Sequence, residues 1–284
     1  MRLHVPLMLL ALAGDAALSA QQSRRWTGPS EPVYVVTRNR YASGFTPDGP
    51  TARFGDLIMI QIWSPRRRQA DNYKIGERAG LFAGGERVGS VKIARVAGLQ
   101  CNSSAALVSA DSGFRFSKNT FALATNAPEV RSHSSARREP TLEERAHAAR
   151  IAISEFKKQG FAAAVAGRTR VEHLDTTDVD GSGKRWMIGS AAVTTRNARH
   201  QLFFVARGDN AESTIELSHY HRTKDLEDGK DSLNLLFADQ LDLDGDGTDE
   251  LIVEVRGYEN EEFWIYQRRN GSWAQVWTGG RGSC

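Results

Sequence analysis

Between Leu241 and Val255 the chain reads Leu-Asp-Leu-Asp-Gly-Asp-Gly-Thr-Asp-Glu-Leu-Ile-Val-Glu-Val. Asp242, Asp244 and Asp246 alternate, so a curled backbone would bring their carboxylates to one point. Gly245 and Gly247 supply the positive φ that such a curl needs. Converging carboxylates repel one another unless a cation sits among them, and hard oxygen ligands at this spacing suit Ca²⁺. An EF-hand shares the opening Asp-x-Asp-x-Asp-Gly, but it requires a bidentate Glu at its twelfth position and a helix on each side. Counted from Asp242 the twelfth residue is Val253, and Leu251 to Val255 alternates like a strand. The EF-hand is excluded on both counts. The competing reading is a metal-free turn, because Asp and Gly favour turns without any ion.

Asp-x-Asp-x-Asp-Gly-x-x-(Asp/Glu) running directly into a Leu-Ile-Val strand resembles the FG-GAP or VCBS-type repeat, the calcium loop of integrin-alpha-like propeller blades. The resemblance implies Ca²⁺ held by Asp242, Asp244, Asp246, the Thr248 carbonyl and Glu250, with Asp249 a solvated neighbour. The family more often places Asp where Glu250 stands. A second copy of the pattern, Asp178-Val-Asp180-Gly181-Ser182-Gly183-Lys184-Arg185-Trp186, lies upstream. Ser182 replaces the third carboxylate, Trp186 takes the ninth place, and Lys184 and Arg185 add cations, so this copy is expected to keep the turn and lose the ion. Only the C-terminal part of the chain carries the resemblance.

The loop needs a scaffold, and the 284 residues with 40% hydrophobic content can bury a substantial core. A formal net charge of +3 is too balanced to argue for a nucleic-acid partner. Met1-Arg2 followed by the apolar run Val5–Ala13 and small residues to Ala20 reads as a signal peptide over residues 1–20, cut before Gln21. The apolar run is too short to span a bilayer, so the mature chain is expected to be secreted or periplasmic, with no membrane span. Two cysteines, Cys101 and Cys284, suggest one disulfide in an oxidising compartment.

Alternation and turn residues place a flexible leader at 21–30 and a small β-barrel or β-sandwich domain at 31–126, including a hairpin around Gly84-Gly85. Residues 127–140 read as a polar linker, and 141–160 as a helix opened by a Thr141/Glu144 capping box and closed by Gly160. Leu142, Ala146, Ala149, Ile153 and Phe156 form its expected apolar stripe. From 168 to 284 the pattern is a succession of strands, with Asn270-Gly271 marking a type I′ hairpin. The fold class is therefore mainly β with one amphipathic helix. It combines an N-terminal barrel or sandwich with C-terminal, propeller-blade-like antiparallel sheets, although two blades cannot close a propeller.

Other candidate chemistry is thinner. His219 and His221 would share one face of a strand, but no third metal ligand stands at a recognisable spacing. No Gly-x-Ser-x-Gly elbow surrounds a serine. Arg66-Arg67-Arg68 reads as a solvated loop, and Glu259, Glu261 and Glu262 as a solvated turn. Tyr258, Phe263, Trp264, Tyr266, Trp273 and Trp277 could offer a carbohydrate-stacking face, although alternation assigns half of them to the core. The sequence favours an exported, non-enzymatic, calcium-binding module with a protein or glycan ligand. The alternative is a secreted hydrolase whose site the sequence does not advertise.

Overall fold

The computed structural model describes residues 26–38, 56–65, 73–98, 104–111, 113–117, 120–134, 137–208, 213–224, 232–258 and 260–283. The expected signal peptide, Arg66–Arg68, Cys101, Glu259 and Cys284 lie outside them. Six strands, β1 (Val33–Arg38), β2 (Leu57–Trp63), β3 (Arg78–Ala83), β4 (Glu86–Gly98), β5 (Ser104–Asp111) and β6 (Phe121–Thr125), close a barrel in the order β1-β2-β5-β4-β3-β6. After α1 (Leu142–Lys158) and α2 (Ala163–Ala166) come two four-stranded antiparallel meanders. The first holds β7 (Arg170–Thr177), β8 (Trp186–Thr194), β9 (Arg199–Arg207) and β10 (Thr214–Thr223). The second holds β11 (Asn234–Leu241), β12 (Glu250–Arg256), β13 (Asn260–Arg269) and β14 (Ser272–Ser283). Asn270 and Gly271 both have positive φ (50° and 80°), as the type I′ hairpin between β13 and β14 demands.

Alternation along the central strands assigns each residue to a layer. In the first meander Met187, Leu202 and Phe204 face α1, where they meet Ala148, Ile151 and Phe156. Trp186, Ile188, Phe203 and Val205 face the other way and pack on Leu251, Val253 and Tyr266 of the second meander. The opposite face of that meander, Ile252, Phe263 and Ile265, lies on the barrel residues Val33, Ile62 and Leu123. The order of layers is helix, sheet, sheet, barrel. Both sheets are covered on both faces, which is why β8, β9 and β12 read as apolar runs rather than clean alternation. The aromatic group that could have stacked on a sugar is largely absorbed by this packing. Phe263, Tyr266 and Trp273 are buried, Trp264 packs between the sheets and Trp277 packs against the barrel. Tyr258 remains exposed.

Two expectations need correction. Residues 127–140 do not act as a free linker. The described part, 127–134 and 137–140, forms a strap whose backbone hydrogen-bonds the edges of both meanders and the β3–β4 turn of the barrel: Arg131 N–H to Asp242 O (3.0 Å), Arg138 N–H to Thr176 O (3.0 Å) and His133 N–H to Gly85 O (3.1 Å). Edge strands present unpaired backbone groups, and a polar, irregular segment can satisfy them without adding apolar surface. The stripe expected on α1 is also misplaced. Leu142 is 86% exposed, and the buried face is Glu144, His147, Ala148, Ile151, Ala152, Glu155 and Phe156. Fully buried Ala148 and Ala152 let the helix sit close to the sheet. The polar members are partnered, Glu155 by Lys158 and Ser218, and His147 by Ser213 and Arg150.

The capping box forms as expected: Glu144 N–H donates to Thr141 Oγ1 (3.2 Å), and Thr141 N–H donates to the Glu144 carboxylate (2.7 Å). Arg138 from the strap grips both Glu144 oxygens, at 2.9 and 2.6 Å. These bonds from Arg138 hold the Glu144 carboxyl down at about 2, below its ordinary 4.5. A depressed folded pKa means stabilisation that is complete above the unfolded value and is lost as the pH falls through the folded one. Glu144→Ala should therefore cost on the order of 1–3 kcal/mol at neutral pH. In urea unfolding, the gap between wild type and variant should close between pH 4.5 and about 2.

The C-terminal strand meets the barrel at one close approach. A Cβ on Gly279 would lie 2.0 Å from the Ile62 carbonyl oxygen, the atom that also accepts the Trp277 indole N–H at 2.9 Å. Backbone on backbone leaves no flexible group to yield, so Gly279→Ala should destabilise by about 2 kcal/mol or more in chemical denaturation.

Candidate metal centre

The loop between β11 and β12 is built by backbone amides turned inward. Asp242 accepts from Gly245 N–H (2.7 Å) and Gly247 N–H (3.0 Å), Asp244 from Asp246 N–H (3.3 Å), and Asp246 from Thr248 N–H (2.8 Å). Gly245 and Gly247 have φ of +77° and +88°, as the curl requires. The loop between β7 and β8 repeats three of these four bonds at matching positions. Asp178 accepts from Gly183 N–H (2.7 Å), Asp180 from Ser182 N–H (3.2 Å), and the Ser182 hydroxyl from Lys184 N–H (3.3 Å). The two loops are also stitched together: Asp249 N–H donates to Val179 O (2.7 Å), and the Gln240 side-chain amide donates to Asp178 O (3.1 Å).

Of the four carboxylates read from the sequence as ligands, the fold brings three together. Asp242, Asp244 and Glu250 each present an oxygen within 4.8 Å of the others. Oxygens held 2.3–2.6 Å from a shared Ca²⁺ stand at most about 5 Å apart, so the spacing is compatible with one ion. Asp246 is exposed and stands outside this group, and Thr248 is half-buried. Asp242 and Glu250 are each 1% exposed. Leu243 N–H donates to one Glu250 oxygen at 2.8 Å, while the other, Oε1, is buried without a partner. Gln267 donates to Asp244 from β13. Burial pushes the carboxyls of Asp242, Asp244 and Glu250 above the usual range, Glu250 furthest, and the nearby acids add to the effect. Burial and mutual repulsion therefore oppose ionising all three together. A divalent cation would reverse that balance, so the donor set fits one.

Asp249 is not the solvated neighbour the sequence suggested. It is fully buried, accepts from the Gln240 amide at 2.7 Å and stands 3.5 Å from the His133 imidazole of the strap. Burial pushes its carboxyl up to about 8. The available signal was the unbroken Leu251-Ile252-Val253 run, which implies that β12 is covered on both faces and that Asp249 and Glu250 cannot both be wet. Asp239, likewise fully buried, accepts from Gly84 N–H of the barrel hairpin at 2.8 Å and pairs with Arg137 at 3.0 Å.

The other candidates do not assemble. Among the described residues no third ligand joins His219 and His221, and His219 sets its ring against Trp264 with centroids 5.3 Å apart. One serine–histidine pair sequence reading missed does form: His147 Nε2 lies 2.9 Å from Ser213 Oγ. Arg150 lies 3.1 Å from His147 Nδ1 and can only donate, so in the neutral ring Nε2 carries the proton. The imidazole therefore donates to the serine, which in turn donates to Gly208 O at 2.9 Å. A base so oriented cannot take the serine proton. No protein-family model, curated protein or solved structure matches this chain.

The strap's packing on the loop separates two glycines. A Cβ on Gly245 would lie 2.9 Å from the Glu129 carbonyl oxygen, whereas one on Gly247 meets nothing within 4 Å. Both substitutions to Ala carry the cost of positive φ, on the order of 1 kcal/mol. Only Gly245→Ala also pushes the strap away, so its loss in urea unfolding should exceed that of Gly247→Ala by roughly 1 kcal/mol or more.

Proposed function

We propose that this chain is an exported β-rich binding or scaffold module stabilised by Ca²⁺ at the Asp242–Glu250 loop, of the kind its loop motif resembles. The observation that carries the reading is Glu250 Oε1, a buried carboxylate oxygen without a hydrogen-bond partner, grouped with Asp242 and Asp244. Buried charged groups are ordinarily paired or bound to metal, and a cation here would satisfy all three carboxylates at once. The upstream loop supports the reading by contrast. It repeats the backbone curl but replaces Asp246 with Ser182 and Glu250 with Trp186, so it keeps the turn without the third acid or the buried one. The ion in this reading is structural: it fixes the junction of both meanders, the strap and the barrel, and no reaction is assigned to it.

Thermal unfolding with and without Ca²⁺ tests the proposal. Binding to the folded form alone adds about 2.7 kcal/mol at a hundredfold excess of ion over Kd, so millimolar Ca²⁺ should raise Tm and a chelator should reverse the rise. Mg²⁺ should substitute poorly, because it demands a tighter octahedral cage. Asp244→Ala and Glu250→Gln should abolish the calcium-induced shift, while Asp180→Ala and Asp249→Asn should retain it. A wild-type shift of zero at millimolar Ca²⁺ would refute the reading.

A further inference from the structure

At the end of the two meanders away from the acidic loops, the sheets enclose a cavity of about 280 Å³. Glu172, Ser190, Arg199 and Gln201 line it from the first meander, and Asn234 and Arg256 from the second. Its rim is the solvated end of the sheet sandwich, where the Glu172, Arg199 and Arg256 side chains are 31%, 35% and 36% exposed. Its buried polar lining is incompletely satisfied. Ser190 and Gln201 are 8% and 7% exposed, and neither Ser190 Oγ nor Gln201 Oε1 has a hydrogen-bond partner. The Gln201 amide nitrogen is already committed to Asn234 Oδ1. Arg199 pairs with Glu172 at 2.5 Å and Arg256 with Glu254 at 2.6 Å, each through one terminal nitrogen. A guanidinium carries five N–H donors, so both arginines keep others beyond these pairs. Each guanidinium is matched by one carboxylate, Arg199 by Glu172 and Arg256 by Glu254, so what the arginines offer beyond these pairs is spare N–H donors rather than net charge. Phe203 and Leu235 supply an apolar wall.

We infer that this cavity is a binding site for a small carboxylate-bearing polyol, of the size and chemistry of a single sugar acid. The volume lies just below the usual range for drug-sized ligands, which limits the occupant to a small molecule. Surplus Arg donors call for a carboxylate, which planar guanidinium recognises well. The orphaned Gln201 carbonyl calls for a donor and the Ser190 hydroxyl for either role, and ligand hydroxyl groups supply both. The apolar wall suits the C–H face of a sugar ring. The site lies apart from the acidic loop, and the inference stands whether or not that loop holds an ion.

Isothermal titration of the full chain with sodium glucuronate, glucose and inorganic phosphate separates the possibilities. Glucuronate should bind, and glucose and phosphate should each bind at least tenfold more weakly, because each lacks one half of the recognition. Arg199→Gln should weaken glucuronate about tenfold, the effect of roughly 1.4 kcal/mol. Ser190→Ala, which removes one small unpartnered hydroxyl, should weaken it several-fold with circular dichroism and Tm unchanged, and it carries the test if Arg199→Gln does not fold. The inference is overturned by no glucuronate binding up to about 10 mM, by glucose binding equally well, by phosphate binding as tightly as glucuronate, or by wild-type affinity in Ser190→Ala.

Discussion

One guanidinium holds the layers in register. Arg137, in the strap, pairs with Asp175 on β7 at 3.1 Å and with Asp239 on β11 at 3.0 Å, and it lies over the Phe237 ring at 4.7 Å. Asp239 in turn accepts the Gly84 amide of the barrel hairpin. Strap, both meanders and barrel therefore meet at one half-buried cation. Burial pushes the Asp239 carboxyl up to about 6 even with the Arg137 charge acting against the rise. Such a pair is a weak source of net stability, because both charges leave water. It is a strong source of geometry, because removing Arg137 leaves the Asp239 carboxyl uncompensated in the interior. The acidic loop begins three residues beyond Asp239, so its position relative to the barrel and the strap is inherited from this contact.

Two-sided burial explains most of what the sequence conveyed and most of what it concealed. Strand identity was legible because β-branched and aromatic runs between Gly and Asn turns leave little choice, and the type I′ turn at Asn270-Gly271 was legible from two residues. Layering was not. A strand such as Leu251-Ile252-Val253 presents apolar groups to both sides, so its period does not say which neighbour takes which face. The same ambiguity hid Asp249: a carboxylate at a strand entrance reads as solvated unless one already knows that both faces are covered. The α1 stripe failed for a related reason. Glu144, His147 and Glu155 look like surface residues by type, yet they are buried because Arg138, Ser213 and Lys158 meet them from elements distant or adjacent in sequence. Hydrophobic periodicity counts side-chain types, whereas burial of a paired polar group depends on a partner that periodicity cannot see.

The strap shows the converse. Its Ser/Arg/Pro composition marked it as lacking regular structure, which is correct for side-chain pattern and uninformative about backbone use. An edge strand requires hydrogen-bond partners, and any segment can supply N–H and C=O groups whatever its side chains. The candidate site was legible to the extent that its ligands are local: Asp242, Asp244 and Glu250 fall within one loop. The cavity at the opposite end draws on Glu172, Ser190, Arg199, Gln201, Asn234 and Arg256, scattered over five strands, and no spacing in the chain joins them.

The two loops together isolate what a cation would be needed for. In both, the aspartates receive backbone amides at equivalent positions, so the curl is satisfied by the protein's own donors and needs no ion. The difference lies at the ninth position. In the upstream loop it is Trp186, fully buried, with the guanidiniums of Arg207 and Arg268 over its ring at 5.6 and 5.1 Å. In the downstream loop it is Glu250, equally enclosed, with one oxygen bonded to Leu243 N–H and the other unpartnered. An apolar residue at that place completes a core, whereas a carboxylate leaves an acceptor unsatisfied next to two more acids. Retaining an acid there costs stability in the absence of a counter-charge, because burial and like charge both oppose its ionisation. The calcium proposal therefore rests on Glu250 rather than on the Asp-x-Asp-x-Asp repeat that first draws the eye, since the repeat by itself accounts only for the turn.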